Sequence, residues 1–539
     1  MATVSIPNVA VAHDPTKAER LALRLLQIGA VAAVVVSSTY RIFDLDRFFV
    51  PKELTLHLTA CAVALLALGA VRRMPVTRVD LVLGGFLLAS TVSSAFATNH
   101  WAAQRALAIS VSGVAIFWSA RALREAGLAR SVVVAMAGAA VAGAIGCLLQ
   151  VYGVTTDFFS LNRAPGGTLG NRNFVAHLIA FSLPVLLLSA LRAWRNLGFL
   201  FGAVGVALAT GALILTRSRA AYLGLIAVFV VMLVGTVLCR PVRRDRRFLL
   251  RASLMLLISG GGVAGALLLP NALQWRSDSP YLETARGVVN YREGSGRGRL
   301  IQYRNSLDIL LHDPVLGAGP GNWPVEYPEH AAANDPSLDQ SELGTTSNPW
   351  PSSDWIAFLA ERGLLGAGLL AMAVVGLGIA SWRRMRTARD ADEGLCAVAC
   401  LAIIAGTATV GAFDAVLLLA WPTLVVWAAF GALWTPETAR QVAVPPTARA
   451  AALALIALAA GAGALRSGGA LVAMGIYASE PGRSGLEMAA TLDPGNYRVR
   501  MAAARSYGGG EDGRCRHARA ARDLYPNARA ARRLADRCD

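Results

Sequence analysis

Charge is scarce in this chain. Only 16% of its 539 residues are charged, against 55% hydrophobic, where a soluble domain carries roughly a quarter charged. Apolar runs of about 17–22 residues recur from end to end, the length of a bilayer-crossing helix. A soluble multidomain protein is thereby excluded, and the runs are too long for the alternating segments of a membrane β-barrel. Cysteine is also sparse. Seven cysteines cannot build a disulfide scaffold, and Cys61, Cys147, Cys239, Cys396 and Cys400 lie in or beside apolar runs, as small core residues. No cluster has metal-ligand spacing, so neither a metal nor another cofactor is expected. The glycine-rich stretch Gly317–Gly321 has no strand before it and no lysine after it, which excludes a P-loop. A cleavable signal is not evident either: the chain is polar through Glu19, and its first apolar run lacks a small-residue cleavage site.

The remaining pattern is that of an all-α polytopic membrane protein. Thirteen spans are expected, near 21–39, 54–71, 80–97, 106–120, 131–152, 173–190, 197–215, 220–238, 252–270, 360–381, 395–413, 415–433 and 450–465. The net charge of +17 comes largely from arginines in alternate short loops: Arg72, Arg73 and Arg78; Arg121, Arg124 and Arg130; Arg192 and Arg195; Arg240 to Arg247; Arg383 to Arg389. This distribution orients helices by the positive-inside rule, so no nucleic-acid partner is expected. It places the N-terminus in the cytoplasm and, with an odd number of spans, the long 271–354 loop and the C-terminal tail outside. The expected organisation is a cytoplasmic segment (1–20), spans one to nine (21–270), an outer loop with the active-site elements (271–354), spans ten to thirteen (355–465) and an outer helical tail (466–539). Cys515 and Cys538 are alone in that tail, and a disulfide between them is expected if the tail is extracytoplasmic. The tail's Ala- and Arg-rich helical spacing, broken at Leu492-Asp493-Pro494, resembles a tetratricopeptide unit; a lone helical hairpin is the simpler alternative.

Chemistry concentrates between Gly294 and Gly366. Arg217 and Arg219 stand at the outer junction of two spans, where a cation either anchors at the interface or meets a phosphate. Arg297, Arg299 and Arg304 follow a glycine-rich turn. A helix starting near Arg299 would aim its amides and a guanidinium at an anion, whereas Arg297 reads as a solvated loop residue. Gly317–Gly321 is expected to form a tight turn under Asn322-Trp323. Trp323, Trp350 and Trp355 are candidates for stacking on sugar rings, or members of an interfacial aromatic belt. Asp354 reads as a first-turn acid behind Ser352 and Ser353, and Glu361 lies two turns further on the same helix face. Either acid, or His330, is a candidate general base; a surface role is the alternative for His330. His177, inside a span just after Gly170-Asn171-Arg172-Asn173, is placed to line a polar cavity.

Four stretches resemble the O-antigen ligase family, the ligase/polymerase superfamily of bacterial envelope polysaccharide assembly. They are Gly167–Phe174; Ser218-Arg219 before Ala-Ala-Tyr-Leu-Gly; Arg299 with Asn305-Ser-Leu and Asp313–Trp323; and Glu361–Gly366. The resemblance spans roughly residues 20–435. It implies a membrane glycosyltransferase of the bacterial inner membrane, with an undecaprenyl-diphosphate-linked glycan as donor. The acceptor would be lipid A core, a glycan chain or a protein. Arg219 and Arg299, with Arg217 beside them, would hold the diphosphate. Ligases of the family carry a histidine and a small polar residue, then nine residues, then Gly-x-x-Gly. Counting back from Gly363 puts Ser352 at the histidine position. Asp354, Glu361 or His330 would then substitute, or the reaction differs, or the protein is an inactive scaffold. The alternatives are a transporter or flippase of polyprenyl-linked glycan and a protein O-oligosaccharyltransferase.

Overall fold

The computed structural model describes residues 14–42, 46–71, 73–193, 195–287, 294–339, 345–436, 440–443, 445–508 and 512–538. Most of the expected N-terminal segment, and residues 288–293 and 340–344 of the expected outer loop, lie outside the described residues. The fold is helical. The first apolar runs form α1 (Lys17–Val35), α2 (Asp46–Ala70), α3 (Arg78–Ala95), α4 (His100–Glu125) and α5 (Ala129–Val151). There follow α6 (Arg172–Leu191), α7 (Asn196–Leu215), α8 (Arg219–Leu238), the short α9 (Arg240–Arg244) and α10 (Arg246–Leu268). The polar segment carries α11 (Pro280–Arg286), α12 (Gly294–His312) and α13 (Trp323–His330). The chain returns through α14 (Asp354–Thr387), α15 (Ala391–Gly411), α16 (Ala420–Leu433) and α17 (Pro446–Ser479). The tail folds as α18 (Arg483–Leu492), α19 (Tyr497–Ser506), α20 (Asp512–Leu524) and α21 (Arg529–Ala535), each packed on the next.

Among the described residues, eleven helices are long and apolar enough to cross a membrane. The two other expected spans fall on α1, which opens with Lys17, Glu19, Arg20 and Arg24, and on α16, which has 14 residues. Leucines such as Leu257, Leu268, Leu458 and Leu465 are exposed on the outer helices. Such a surface is stable in lipid and costly in water. The last helix differs from expectation: α17 continues to Ser479 instead of ending near residue 465. Arg466 closes the apolar run in the sequence, but its Nε donates to the Trp101 carbonyl at 3.1 Å, so the helix passes through it.

The two ends of the bundle are distinct. At one, β1 (Arg73–Val76) pairs antiparallel with β2 (Arg440–Ala443), and Arg121 donates to the Pro75 carbonyl. The tail docks at the other. Trp101 Nε1 donates to Asp493 at 2.6 Å, Asn527 to Glu329 at 3.2 Å, and Arg498 lies 3.4 Å from Asp339. The polar segment and the tail therefore share an end. Cys515 and Cys538 are bonded there, with Cα atoms 5.5 Å apart.

One interruption organises that end. Within α14, Gly363 has φ +60 and breaks the helix. The break removes the bonds that Leu364 and Leu365 would make to the Ala360 and Glu361 carbonyls. The segment before α13 replaces them. Leu364 N–H donates to Pro314 O at 2.8 Å and Leu365 N–H to Val315 O at 3.2 Å. Ala318 and Gly319 N–H donate to the Ala360 and Glu361 carbonyls, both at 2.9 Å. All four freed groups are satisfied, as an apolar environment demands. The tight turn expected at Gly317–Gly321 forms here, with φ +70 at Gly317, +95 at Gly319 and +72 at Gly321. A Cβ on Gly363 would lie 2.3 Å from Val315 O. Gly363→Ala is expected to destabilise the fold by at least about 2 kcal/mol through backbone strain and this clash. Gly368→Ala, whose Cβ would meet nothing within 4 Å, should not lower the thermal unfolding midpoint, since alanine is the better helix former.

Candidate functional site

Helices α6, α8 and α15 pack against one another, and α6 is the most enclosed of the eleven span-length helices. Their ends on the tail side carry the polar residues that the sequence singles out. Arg219 opens α8 and is exposed. Its guanidinium lies against the backbone of Gly287, where a Cβ would come within 2.9 Å of Nη2. Arg299 is half-buried on α12. That helix starts at Gly294, so Arg299 stands in its second turn rather than near its N-terminus. The expected alignment of free amides with Arg299 is thereby corrected: the glycines before it are taken into the helix instead of forming a turn. Among the described residues, neither Arg219 nor Arg299 has an ion-pair or hydrogen-bond partner.

Arg217 is engaged differently. It occupies the left-handed region at φ +56, a strained conformation for a residue with a side chain. Its Nε donates to Thr284 Oγ1 at 2.9 Å, and Nη2 lies 3.9 Å from Glu283 Oε2. Its guanidinium stacks on Trp275 at 4.7 Å, and Arg172 stacks on the same indole at 5.1 Å. Arg172 and Trp275 are thus drawn into the basic cluster, and only the Asn-Arg-Asn run before α6 hints at it in the sequence.

Ser352, at the position of the family's histidine, is held by its backbone. Its N–H donates to Gln302 Oε1 at 2.6 Å, and its carbonyl accepts from Tyr303 Oη at 2.7 Å. Tyr303 Oη also lies 2.8 Å from the Ala412 carbonyl at the end of α15. Ser353 Oγ donates to Gly411 O at 3.1 Å. The start of α14, the end of α15 and α12 therefore form one corner, with Arg299 one helical turn from Tyr303.

The three candidate bases are dispersed. Asp354 is fully buried at that corner, where Oδ1 accepts from Val416 N–H at 2.9 Å and Oδ2 from Leu417 N–H at 2.8 Å. Both oxygens are committed to the 416–417 backbone, a fastening role. Glu361 lies beneath the glycine turn; Oε1 accepts from Trp323 N–H at 3.4 Å, and Oε2 is 3.9 Å from Arg362 Nη1. Half-buried His330 ends α13 beside the tail. On the same helix Glu326 accepts from Thr98 Oγ1 at 2.7 Å and from Asn527 at 3.4 Å, and burial pushes its carboxyl up. The tryptophans are also placed otherwise than for sugar stacking. Trp323 is fully buried, with Nε1 on Ser306 Oγ at 2.8 Å; Trp350 packs on Phe49; and Trp355 Nε1 donates to Ala408 O at 3.0 Å. Packing demands inside the bundle outweigh the interfacial preference that the sequence suggested.

Two further residues enter the corner. His177, on α6, is 2% exposed, and its Nδ1 is 4.0 Å from Asp414 Oδ2. Asp414 follows α15 in an apolar stretch, and an isolated acid there was the available signal. The fastening role of Asp354 is testable. Asp354→Asn should cost about 1–3 kcal/mol, because its amide can accept at only one of the two backbone donors. A fall in thermal unfolding midpoint without loss of donor affinity is the expected readout.

A family model described as O-antigen ligase matches residues 204–371. The matched region runs from α7 into α14 and contains Arg217, Arg219, Arg299, the glycine turn and the Gly363 break. No curated protein matches the chain. The apolar helices and the matched region together fit a multi-pass membrane protein. Over residues 204–371 the chain is therefore similar to the O-antigen ligase family.

Proposed function

We propose that this chain is a membrane glycosyltransferase that moves a glycan from an undecaprenyl-diphosphate donor to an acceptor hydroxyl. The reaction takes place at the bundle end that carries α11–α13 and the tail. The arginine distribution along the sequence supports reading that end as the periplasmic face of the bacterial inner membrane. In this reading residues 21–270 and 355–465 form the membrane body, 271–354 the active loop and 466–539 an outer tail. The observation that carries the proposal is the pair Arg219 and Arg299, which have no anionic partner among the described residues. A cation left without a counter-charge at a lipid interface is a ready phosphate site.

The donor diphosphate would sit between these guanidinium groups, with Arg217 and Arg172 reinforcing the positive field from Trp275. As the acceptor oxygen attacks the anomeric carbon, negative charge accumulates on the departing diphosphate. Arginines already in place stabilise that charge more in the transition state than in the ground state. Lipid A core, a second glycan chain and a protein are the acceptor classes to be distinguished. Purified protein in nanodiscs, supplied with an undecaprenyl-diphosphate oligosaccharide and each acceptor class, tests the reading. Arg219→Ala and Arg299→Ala are each expected to weaken donor binding and to lower transfer by about 10²-fold or more. Donor binding and transfer unchanged in both variants would overturn the diphosphate site.

A further inference from the structure

Most ionisable side chains buried in the bundle are answered by neighbours. Arg105 embraces Glu53, Asp80 receives Arg121 and Trp118, and Lys52 donates to the Val34 and Val36 carbonyls. Glu361 Oε2 and Arg362 Nε and Nη1 lack hydrogen bonds, but each of those side chains is anchored through another atom, and His177 through none among the described residues. His177 is 2% exposed, and among the described residues neither ring nitrogen has a hydrogen-bond partner. Unsatisfied buried polar groups are costly in a membrane interior, and they concentrate where a ligand or a reaction uses them.

What surrounds the ring is specific. Asp414 Oδ2 is 4.0 Å from Nδ1, too long for a hydrogen bond and within reach of an ion pair once the ring is protonated. The opposite nitrogen, Nε2, is left without an acceptor or donor among the described residues. Asp414 belongs to the 411–417 turn. Tyr303 and Ser353 bond that turn at Ala412 and Gly411, and Asp354 accepts from its amides at Val416 and Leu417. The turn that presents Asp414 to His177 is therefore the one to which Ser352–Asp354 is fastened. Arg299 stands one turn from Tyr303 on the helix that bonds this turn.

We propose that His177 is the general base of the transfer and Asp414 its positioning residue, supplying from α6 the imidazole that the family pattern would place at Ser352. This assignment rests on the glycosyl-transfer reading above. Neutral Nε2 takes the acceptor hydroxyl proton while the hydroxyl oxygen bonds the anomeric carbon. The carbon–oxygen bond to the diphosphate breaks, and its electron pair leaves with the phosphate that Arg219 and Arg299 hold. Asp414 faces the imidazolium that forms and holds the ring with Nε2 toward the acceptor. The proton then passes to solvent, and neutral imidazole is restored.

The full chain in nanodiscs is assayed with the same donor and acceptors, and donor affinity is measured separately for every variant. His177→Ala is expected to lose about 10²–10⁴-fold in turnover, the range for a general base, while binding donor within about threefold of the unaltered chain. Added imidazole should restore part of that turnover, a rescue that a packing defect would not show. Asp414→Asn should lower kcat and leave KM for the donor unchanged. Turnover by His177→Ala within about twofold of the unaltered chain would overturn the assignment while leaving the transferase reading intact. Equal loss of donor affinity and turnover without imidazole rescue would also overturn it, by making His177 a structural residue. Absence of transfer by the unaltered chain to every acceptor would overturn the transferase reading and this assignment with it.

Discussion

The end of the molecule that carries the tail depends on a helix that is broken inside an apolar bundle. The interruption at Gly363 strips two carbonyls and two amides of their helical partners, and in a membrane no water is at hand to replace them. Residues 314–319 supply all four replacements, and Ser93 Oγ adds a bond to the Leu316 carbonyl at 2.7 Å. The glycines are needed because the two backbones come too close for side chains: a Cβ on Gly317 would lie 2.5 Å from Glu361 C and from Gly363 N. This joint ties the C-terminal end of α12 to α14. Tyr303 ties its middle to the end of α15. Arg299 is therefore held over the corner formed by α14 and α15, by backbone contacts rather than by a flexible loop.

The polar residues at this end divide by how far their neighbours satisfy them. Asp354 and Glu361 lie within the framework: both Asp354 oxygens and Glu361 Oε1 accept from backbone amides, and Glu361 Oε2 faces Arg362 at 3.9 Å. Arg217 is fixed by Thr284 and Trp275. Arg219, Arg299 and His177 lack such partners among the described residues. Fully satisfied groups hold a structure in place, and unsatisfied ones are available to a substrate. The proposed division of labour follows from that contrast: a pair of guanidinium groups for the departing diphosphate, and an imidazole for the acceptor proton.

Much of this was legible in the sequence. Long apolar runs become helices because length and hydropathy suffice in lipid, and the thirteen expected places are each occupied by a helix. The glycines of 317–321 were readable as a tight turn, since positive φ favours glycine. What those glycines pack against was not legible, because Gly363 lies more than forty residues away in the chain. The start of α12 was misplaced because Gly294, Gly296 and Gly298 read as a turn, whereas the helix takes them in. The tryptophans read equally as sugar-stacking residues or an interfacial belt, whereas Trp323 and Trp350 are buried in the bundle and Trp355 is tied to the Ala408 carbonyl. Asp414 was overlooked for a related reason. A single acid in an apolar stretch acquires meaning only when folding brings it to His177.

A structure of the full chain with undecaprenyl-diphosphate oligosaccharide bound would test the central claim most directly. The account predicts the diphosphate between Arg219 and Arg299, with the anomeric carbon facing the His177 side of the corner. A diphosphate bound away from both arginines, or an anomeric carbon turned toward Glu361 or His330, would contradict it.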